Sequence, residues 1–282
     1  MAKNNKSILK NPYLRISLAI LFICIMIVVG IIFFKYIYAE MFSENPRFRL
    51  RNVIVKSSGF WNNRADDVIK ILGLNKGVTN LFNLNLYDLR RQLEERKGEG
   101  IAFVEISKEL PDTLKVEIIE RIPQAILYNK KSCMLTDKYG TIMDSKYFQD
   151  VLSSLPVITG FKINEKRNSN YFGQTITVIK PALILISIVN EDYSDLEIRV
   201  INLYSPGKLL VYILGSGNKI IKIVLPFEFS TDPLTSNAEL AVSSRILREK
   251  LNELRELLKY LNWKKNPFTE INMMYKDQAV VK

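Results

Sequence analysis

Histidine is missing from this sequence altogether. Without imidazole there is no Ser–His or Cys–His nucleophile pair, no histidine-ligated metal and no acid–base shuttle of the usual kind. Cysteine is nearly absent too. Cys24 and Cys133 form no CxxC, and Cys24 sits inside an apolar run, so neither a zinc spacing nor a disulfide between them is expected. The GSGN stretch at 215–218 joins two strand-like runs and lacks the following helix and lysine of a phosphate-binding loop, so it reads as a hairpin turn. Carboxylates are then the remaining means of chemistry. Asp137 and Asp144, in LTDKYGTIMD, form the one pair that invites an acid–base reading. Acids beside a turn more often cap local backbone, and that is the reading adopted.

Charge is not scarce but it is unpatterned. Forty basic residues against 29 acidic ones leave +11 over 282 residues, spread along the chain. A nucleic-acid binder concentrates its cations in a stripe, so the composition argues for a general attraction to anionic surfaces and against nucleic acid.

The run ISLAILFICIMIVVGIIFF, from Ile16 to Phe34, is interrupted only by Ser17 and Gly30. At ~1.5 Å per residue it approaches the ~30 Å hydrocarbon thickness of a bilayer, and the aromatics of FFKYIY extend it to the interface. The run is long for a signal-peptide core, and YIYAEM is a poor cleavage site, so a retained anchor over 16–38 is expected. Lys3, Lys6, Lys10 and Arg15 precede it with no acid among them. This basic flank predicts a cytoplasmic tail at 1–15 and a main body outside the membrane. ALILISIV, Ala182 to Val189, is too short to span and reads as core.

Beyond the anchor, Phe48 to Lys56 reads as a strand, and NNRADDVIKILGL as a short helix with Asn63 and Asp66 at its start and Gly73 at its stop. Asn85 with Asp88 repeats the arrangement before Leu86, Leu89 and Leu93. IAFVEIS and TLKVEII are two further strands joined through Pro111-Asp112. In the second, Leu114, Val116 and Ile118 share the inward face, which puts Lys115 and Glu117 on the solvent face. The pattern is β–α–α–β–β.

The rest of the chain reads as a second, mostly β module. LTDKYGTIMD gives two short strands around Tyr139-Gly140, and the polar KINEKRNSNYFGQT is a loop or a lid over a helix start. A helix over 178–189 tolerates Pro181 in its first turn. LEIRVINL, KLLVYILG and KIIKIVLP form three antiparallel strands, with Pro206-Gly207 as one of the turns. From Asn237 to Trp263, Leu247, Leu251, Leu254, Leu258 and Leu261 make one stripe, the sign of a helix covering a sheet. FTEINMMY is a last strand, followed by a polar tail.

These pieces in this order resemble the FtsQ/DivIB family of bacterial cell-division proteins. The resemblance rests on Val53, Val55 and Gly59 in the first strand region, and on Gly77, Asn80, Leu81 and Phe82 in NKGVTNLF. Leu110, Pro111, Leu114, Glu120, Arg121, Pro123 and Ala125 in ELPDTLKVEIIERIPQA extend it. LTDKYGTIMD and LPVITG follow. The implied fold is α+β: one N-terminal transmembrane helix, a POTRA domain (βααββ) at 46–121, and a mostly antiparallel β domain at 122–275 with a covering C-terminal helix. A polar tail follows at 276–282. The implied function is a non-enzymatic, membrane-anchored scaffold of the divisome. It would bind small bitopic division proteins of the FtsB/FtsL type and other divisome components and help to position septal wall synthesis, with no cofactor, metal or catalytic residue. The implied location is the inner (plasma) membrane at the division site, single-pass, with the N-terminus cytoplasmic and the body extracytoplasmic or periplasmic. A POTRA-containing accessory of secretion or outer-membrane assembly is the alternative.

The family's last strand carries "iDLRY"; here it is Ile271-Asn272-Met273-Met274-Tyr275, with acid and arginine gone. The resemblance implies that this terminal strand is a sheet edge receiving a partner's strand. Phe268, Ile271, Met273, Met274 and Tyr275 are the expected partner-binding residues, with Met273 and Tyr275 on one face.

Overall fold

The computed structural model describes residues 12–129, 132–162, 171–205, 207–215, 218–227, 237–264, 268–275 and 278–282. Lys3, Lys6 and Lys10, most of the polar loop after Phe161, Pro206 and the Ser216-Gly217 turn therefore lie outside the described residues. Contacts divide the chain into two compact units.

The first unit holds residues up to Lys56, Asn63–Arg90 and Glu105–Glu117. It opens with α1, Pro12–Tyr38, a helix about 40 Å long whose described side chains are exposed on all sides. It is the one helix among the described residues long and apolar enough to cross a membrane, running on through a π-turn to Ser43. β1 (Asn52–Lys56) follows, then α2 (Ala65–Leu72) and α3 (Leu86–Glu94). β2 (Ile101–Glu109) and β3 (Thr113–Glu120) complete a three-stranded sheet ordered β1-β3-β2. β1 runs parallel to β3 with Val53 opposite Leu114 and Val55 opposite Val116. Those four join Leu50, Val68, Leu72, Leu81 and Leu89 among the buried residues. The alternation of TLKVEII thus places Lys115 and Glu117 outward, where they pair at 2.6 Å.

Two local expectations need correction. The first strand begins at Asn52, not Phe48, because Pro46–Phe48 form a 3-10 turn capped by Asn45. Asn63 does not cap α2: it stands at φ 59°, a conformation asparagine tolerates, and the helix starts at Ala65 without a side-chain cap. Asn85 does cap its helix, accepting from the Tyr87 amide at 3.1 Å. Gly73 ends α2 in the left-handed region at φ 62°.

The second unit comprises 57–62, 91–104 and everything from Ile118. Among the described residues its sheet has nine strands: β4 (Pro123–Asn129), β5 (Ser132–Asp137), β6 (Ile142–Asp144), β7 (Val157–Thr159), β8 (Glu197–Asn202), β9 (Lys208–Leu214), β10 (Ile220–Pro226), β11 (Glu270–Tyr275) and β12 (Gln278–Val281). Their order is β12-β11-β10-β9-β8-β7-β4-β5-β6. Most neighbours are antiparallel, but β4–β7, β7–β8 and β10–β11 are parallel. A parallel junction needs a crossover. α4 (Lys180–Asp192) crosses from β7 to β8, and α5 (Asn237–Lys264) from β10 to β11. Pro181 sits in the first turn of α4, where its missing N–H costs no helical bond.

Both helices bury their apolar stripes on the sheet. Leu247, Leu251, Leu254 and Leu261 of α5 pack with Leu183, Leu185 and Ile186 of α4 and with Val211, Ile213, Ile223, Ile271 and Met273 of the strands. Arg248 pairs with Asp192 at 2.7 Å and Glu191 at 3.1 Å, and Arg255 with Asp195 at 2.9 Å. The Asp192 bond is the main reason the Arg248 guanidinium pKa is raised. The leucine stripe is a sheet cover, as its period predicts.

Candidate partner-binding edge

The charged stretch before β4 is structural. The Glu120 carboxylate accepts from the Ser57 hydroxyl (2.5 Å), the Phe60 amide (3.1 Å) and the Trp61 amide (2.9 Å). A Cβ on Gly59 would sit 2.6 Å from Glu120 Oε2, so glycine is what lets the carboxylate approach. Arg121 donates through Nε to the Ile101 carbonyl at 3.0 Å and pairs with Asp137 at 2.6 Å. That pair is buried, with side-chain exposures of 13% and 4%.

Asp137 also accepts from the Tyr139 and Thr141 amides at 2.9 and 2.8 Å, closing the turn around Gly140 (φ 86°). Asp144 caps a 3-10 turn by accepting from the Lys146 amide at 3.0 Å. Both acids are thus occupied as caps and partners. Among the described residues no group of three or more acid or cysteine side chains is placed to hold a metal.

The sheet's two ends differ. The outer side of β6 is covered by the chain itself: the Ile142 amide donates to the Gln174 carbonyl (2.8 Å), and the Gly173 amide to the Ile142 carbonyl (2.8 Å). The Ile176 amide donates to the Gly140 carbonyl (3.0 Å), and Thr141 bridges Thr175. At the other end β12 is the outermost strand, all four of its residues exposed.

This corrects the expectation that β11 is a free edge and 276–282 a polar tail. β11 is paired on both sides, parallel to β10 and antiparallel to β12. Val280 and Val281, β-branched residues in a run too short to stand out, form the last strand instead. Of the residues expected to bind a partner, Ile271 is 0% exposed and Met273 1%, both in the core. Phe268 is half-buried against that core. Met274 and Tyr275 are exposed. A bulge between Asn272 and Tyr275 inserts an extra residue, so Met273 and Tyr275 do not share an environment as strict alternation requires.

Hydrogen bonding at Lys282 sets the phase of the β12 backbone groups. Lys282 donates to the Glu270 carbonyl (2.9 Å) and accepts from the Glu270 amide (3.1 Å), making 282 and 270 a hydrogen-bonded pair. Antiparallel pairs alternate, so Val280 opposite Asn272 also bonds inward, while Val281 aims N–H and C=O outward; the extra residue of the bulge lies in β11, so the alternation continued along β12 itself turns Ala279 outward too. Lys250 fixes the approach to this strand. Its ammonium, on a residue 8% exposed, donates to the Tyr275 carbonyl at 3.1 Å and pairs with Glu253 at 2.7 Å.

Residues 48–121 match the family described as POTRA domain, FtsQ-type. An N-terminal helix long and apolar enough to cross a membrane, followed by such a domain and a mixed β sheet, defines the class: a POTRA-domain protein of α+β fold. Curated relatives point to the particular family. The chain is similar to the cell division protein FtsQ of Rickettsia felis, 34% identical over 93 residues, which are 33% of this chain and 33% of that protein. It is also similar to FtsQ of Rickettsia bellii (33% over 93 residues, 33% of each chain) and of Koribacter versatilis. The last is 25% identical over 153 residues, 54% of this chain and 42% of that one. The aligned part spans about a third of the Rickettsia proteins' length. These matches support the FtsQ/DivIB family for this chain.

Proposed function

We propose that this chain is a non-enzymatic, membrane-anchored scaffold of the cell-division machinery that holds a small bitopic division protein of the FtsB/FtsL type. The names of its relatives support the division role. The assignment of Glu120, Asp137 and Asp144 to structural bonds supports a scaffold over an acid–base catalyst. In this reading α1 spans the plasma membrane with its N-terminus in the cytoplasm, and both units work outside, at the septum.

The observation that carries the partner site is that no strand among the described residues covers the outer side of β12. Outward backbone groups at Ala279 and Val281 offer a template on which an extended segment adds as a further strand. Tyr275 and Met274, exposed beside the bulge, and Val280 and Val281 supply side-chain contacts. Ile271, Met273 and Phe268 hold the edge in place from below.

The test is Ala279→Pro in the full-length chain. Proline there removes an outward N–H and leaves the bonds to β11 intact. Binding of the bitopic partner weakens about tenfold or more, equivalent to ~1.4 kcal/mol, while thermal unfolding stays as in wild type. Undiminished binding by the folded variant removes the edge as the site.

A further inference from the structure

The end of the first unit nearest α1 is not joined to it by a loose linker. Tyr38, Phe42, Phe82 and Phe48 pack in succession, tilted or edge-on, with ring centroids 5.4 Å (38–42), 5.0 Å (42–82) and 4.8 Å (48–82) apart. The Asn80 amide, on a residue 7% exposed, donates to the Phe42 carbonyl at 2.9 Å and to the Asn45 carbonyl at 3.3 Å. Asn83 donates to the Ser43 carbonyl at 3.4 Å and Asn45 to the Met41 carbonyl at 3.2 Å. The Met41, Phe42 and Ser43 carbonyls lie in the last turn at the helix terminus, where intrahelical partners run out. The loop before Asn80 is stitched to the same place: the Leu50 amide donates to the Thr79 carbonyl (2.8 Å), and the Gly77 amide to the Leu50 carbonyl (2.7 Å).

What this joint holds outward has the composition of a bilayer interface. Val78, at the tip of the stitched loop, is 74% exposed, and Met41 is 55% exposed. Arg47 and Arg49 are exposed and enter no ion pair among the described residues, whereas Arg51 faces Asp112 at 3.9 Å. The 3-10 turn carrying Arg47 advances only ~2 Å per residue, and the headgroup layer beyond the hydrocarbon is about 5–8 Å deep per leaflet. A helix that leaves the membrane at Ser43 therefore keeps Arg47 within side-chain reach of lipid phosphates. Exposed Glu40 and Glu44 offset part of the positive charge. The attraction is thus the forked guanidinium–phosphate contact more than a broad field.

We propose that Met41, Arg47, Arg49 and Val78 form a phospholipid-binding rim that seats this unit on the surface of the membrane its own helix crosses. Val78 and Met41 enter the interface, and the two arginines take headgroup phosphates. The anchor then sets the module's orientation as well as its location.

This rests on α1 spanning a bilayer, and the experiment tests the two separately. The full-length chain, with Cys24→Ser and Cys133→Ser, is reconstituted into vesicles of phosphatidylcholine with a minority of phosphatidylglycerol. A nitroxide is placed at Met26→Cys or Val78→Cys, and its collisions with oxygen and with a water-soluble nickel chelate are measured. The Met26 label should meet oxygen and little chelate. The Val78 label should be several-fold less accessible to chelate than a label at exposed Tyr139, and adding Arg47→Gln with Arg49→Gln should raise that access toward the Tyr139 value. A Val78 label as accessible as Tyr139, with Met26 still in lipid, overturns the rim and leaves the anchor standing. Shielding of Val78 unchanged by the double substitution overturns the arginine–phosphate contact. A Met26 label open to chelate removes the span itself, and the rim with it.

Discussion

At one end of the nine-stranded sheet, β6 gives its outer backbone groups to residues 173–176. At the other end, no strand among the described residues covers β12. The same backbone chemistry has opposite fates, and the surroundings differ accordingly. The β5–β6 end is reinforced by Arg121–Asp137, a buried ion pair whose acid also accepts two turn amides. The β11–β12 end is held by fewer devices: a bulge, the Lys250 contact to the Tyr275 carbonyl and a short strand with two exposed valines. An uncovered edge is an aggregation hazard unless it is brief or used. Brevity and use both fit β12.

The comparison breaks most readily at its closed end. Arg121→Met leaves the Asp137 carboxylate buried without its cation, and losing one partner of such a pair costs about 3–5 kcal/mol. The turn amides offset part of this, so a loss near 3 kcal/mol is expected by denaturant unfolding. A loss below about 1 kcal/mol means that the closed end is not held by this pair. At the open end, Tyr275→Ala should act on binding instead. A central interface tyrosine is worth ~2 kcal/mol, about a thirtyfold loss of partner affinity, with stability little changed. A change under about threefold places Tyr275 outside the interface. Ala279→Pro comes next, at about tenfold, and it separates backbone pairing from side-chain fit.

The smallest effect belongs to Lys115–Glu117, in the first unit. Hydrogen bonding between them is the main cause of both shifts, raising the Lys115 pKa and lowering that of Glu117. With a lowered folded pKa, any Glu117 contribution is present above the ordinary carboxylate range and fades as pH falls through its depressed value. With a raised one, any Lys115 contribution is complete below the ordinary lysine value and fades at higher pH. Both groups are solvated, so Lys115→Gln with Glu117→Gln should leave the thermal midpoint unchanged at neutral pH. A clear drop would mean that this face is covered.

Much of the architecture was legible in the sequence, for local reasons. The 3.5-spaced leucines of α5 and the alternation of Leu114, Val116 and Ile118 are periodicities that a single segment displays by itself. The role of Asp137 as a turn cap was legible too, because Tyr139-Gly140 follows it directly. The identity of the edge was not. Whether β11 is outermost depends on what β12 does, and four residues after a polar turn look like a tail until they pair. The burial of Ile271 and Met273 follows from α5 crossing above them, a relation across the fold that no local pattern carries. Asn63 misled for a different reason. Asparagine serves equally as a cap or in the left-handed region, and the sequence does not distinguish the two uses.

The most direct measurement is amide hydrogen exchange along β12 in the full-length chain, free and with the bitopic partner bound. Free, the outward amides of Ala279 and Val281 should exchange quickly, and the inward amides of Val280 and Lys282 more slowly. Binding should slow Ala279 and Val281 by at least about tenfold, bringing them to or beyond the level of their inward neighbours. If saturating partner leaves the outward amides as fast as in the free chain, β12 is not where the partner adds.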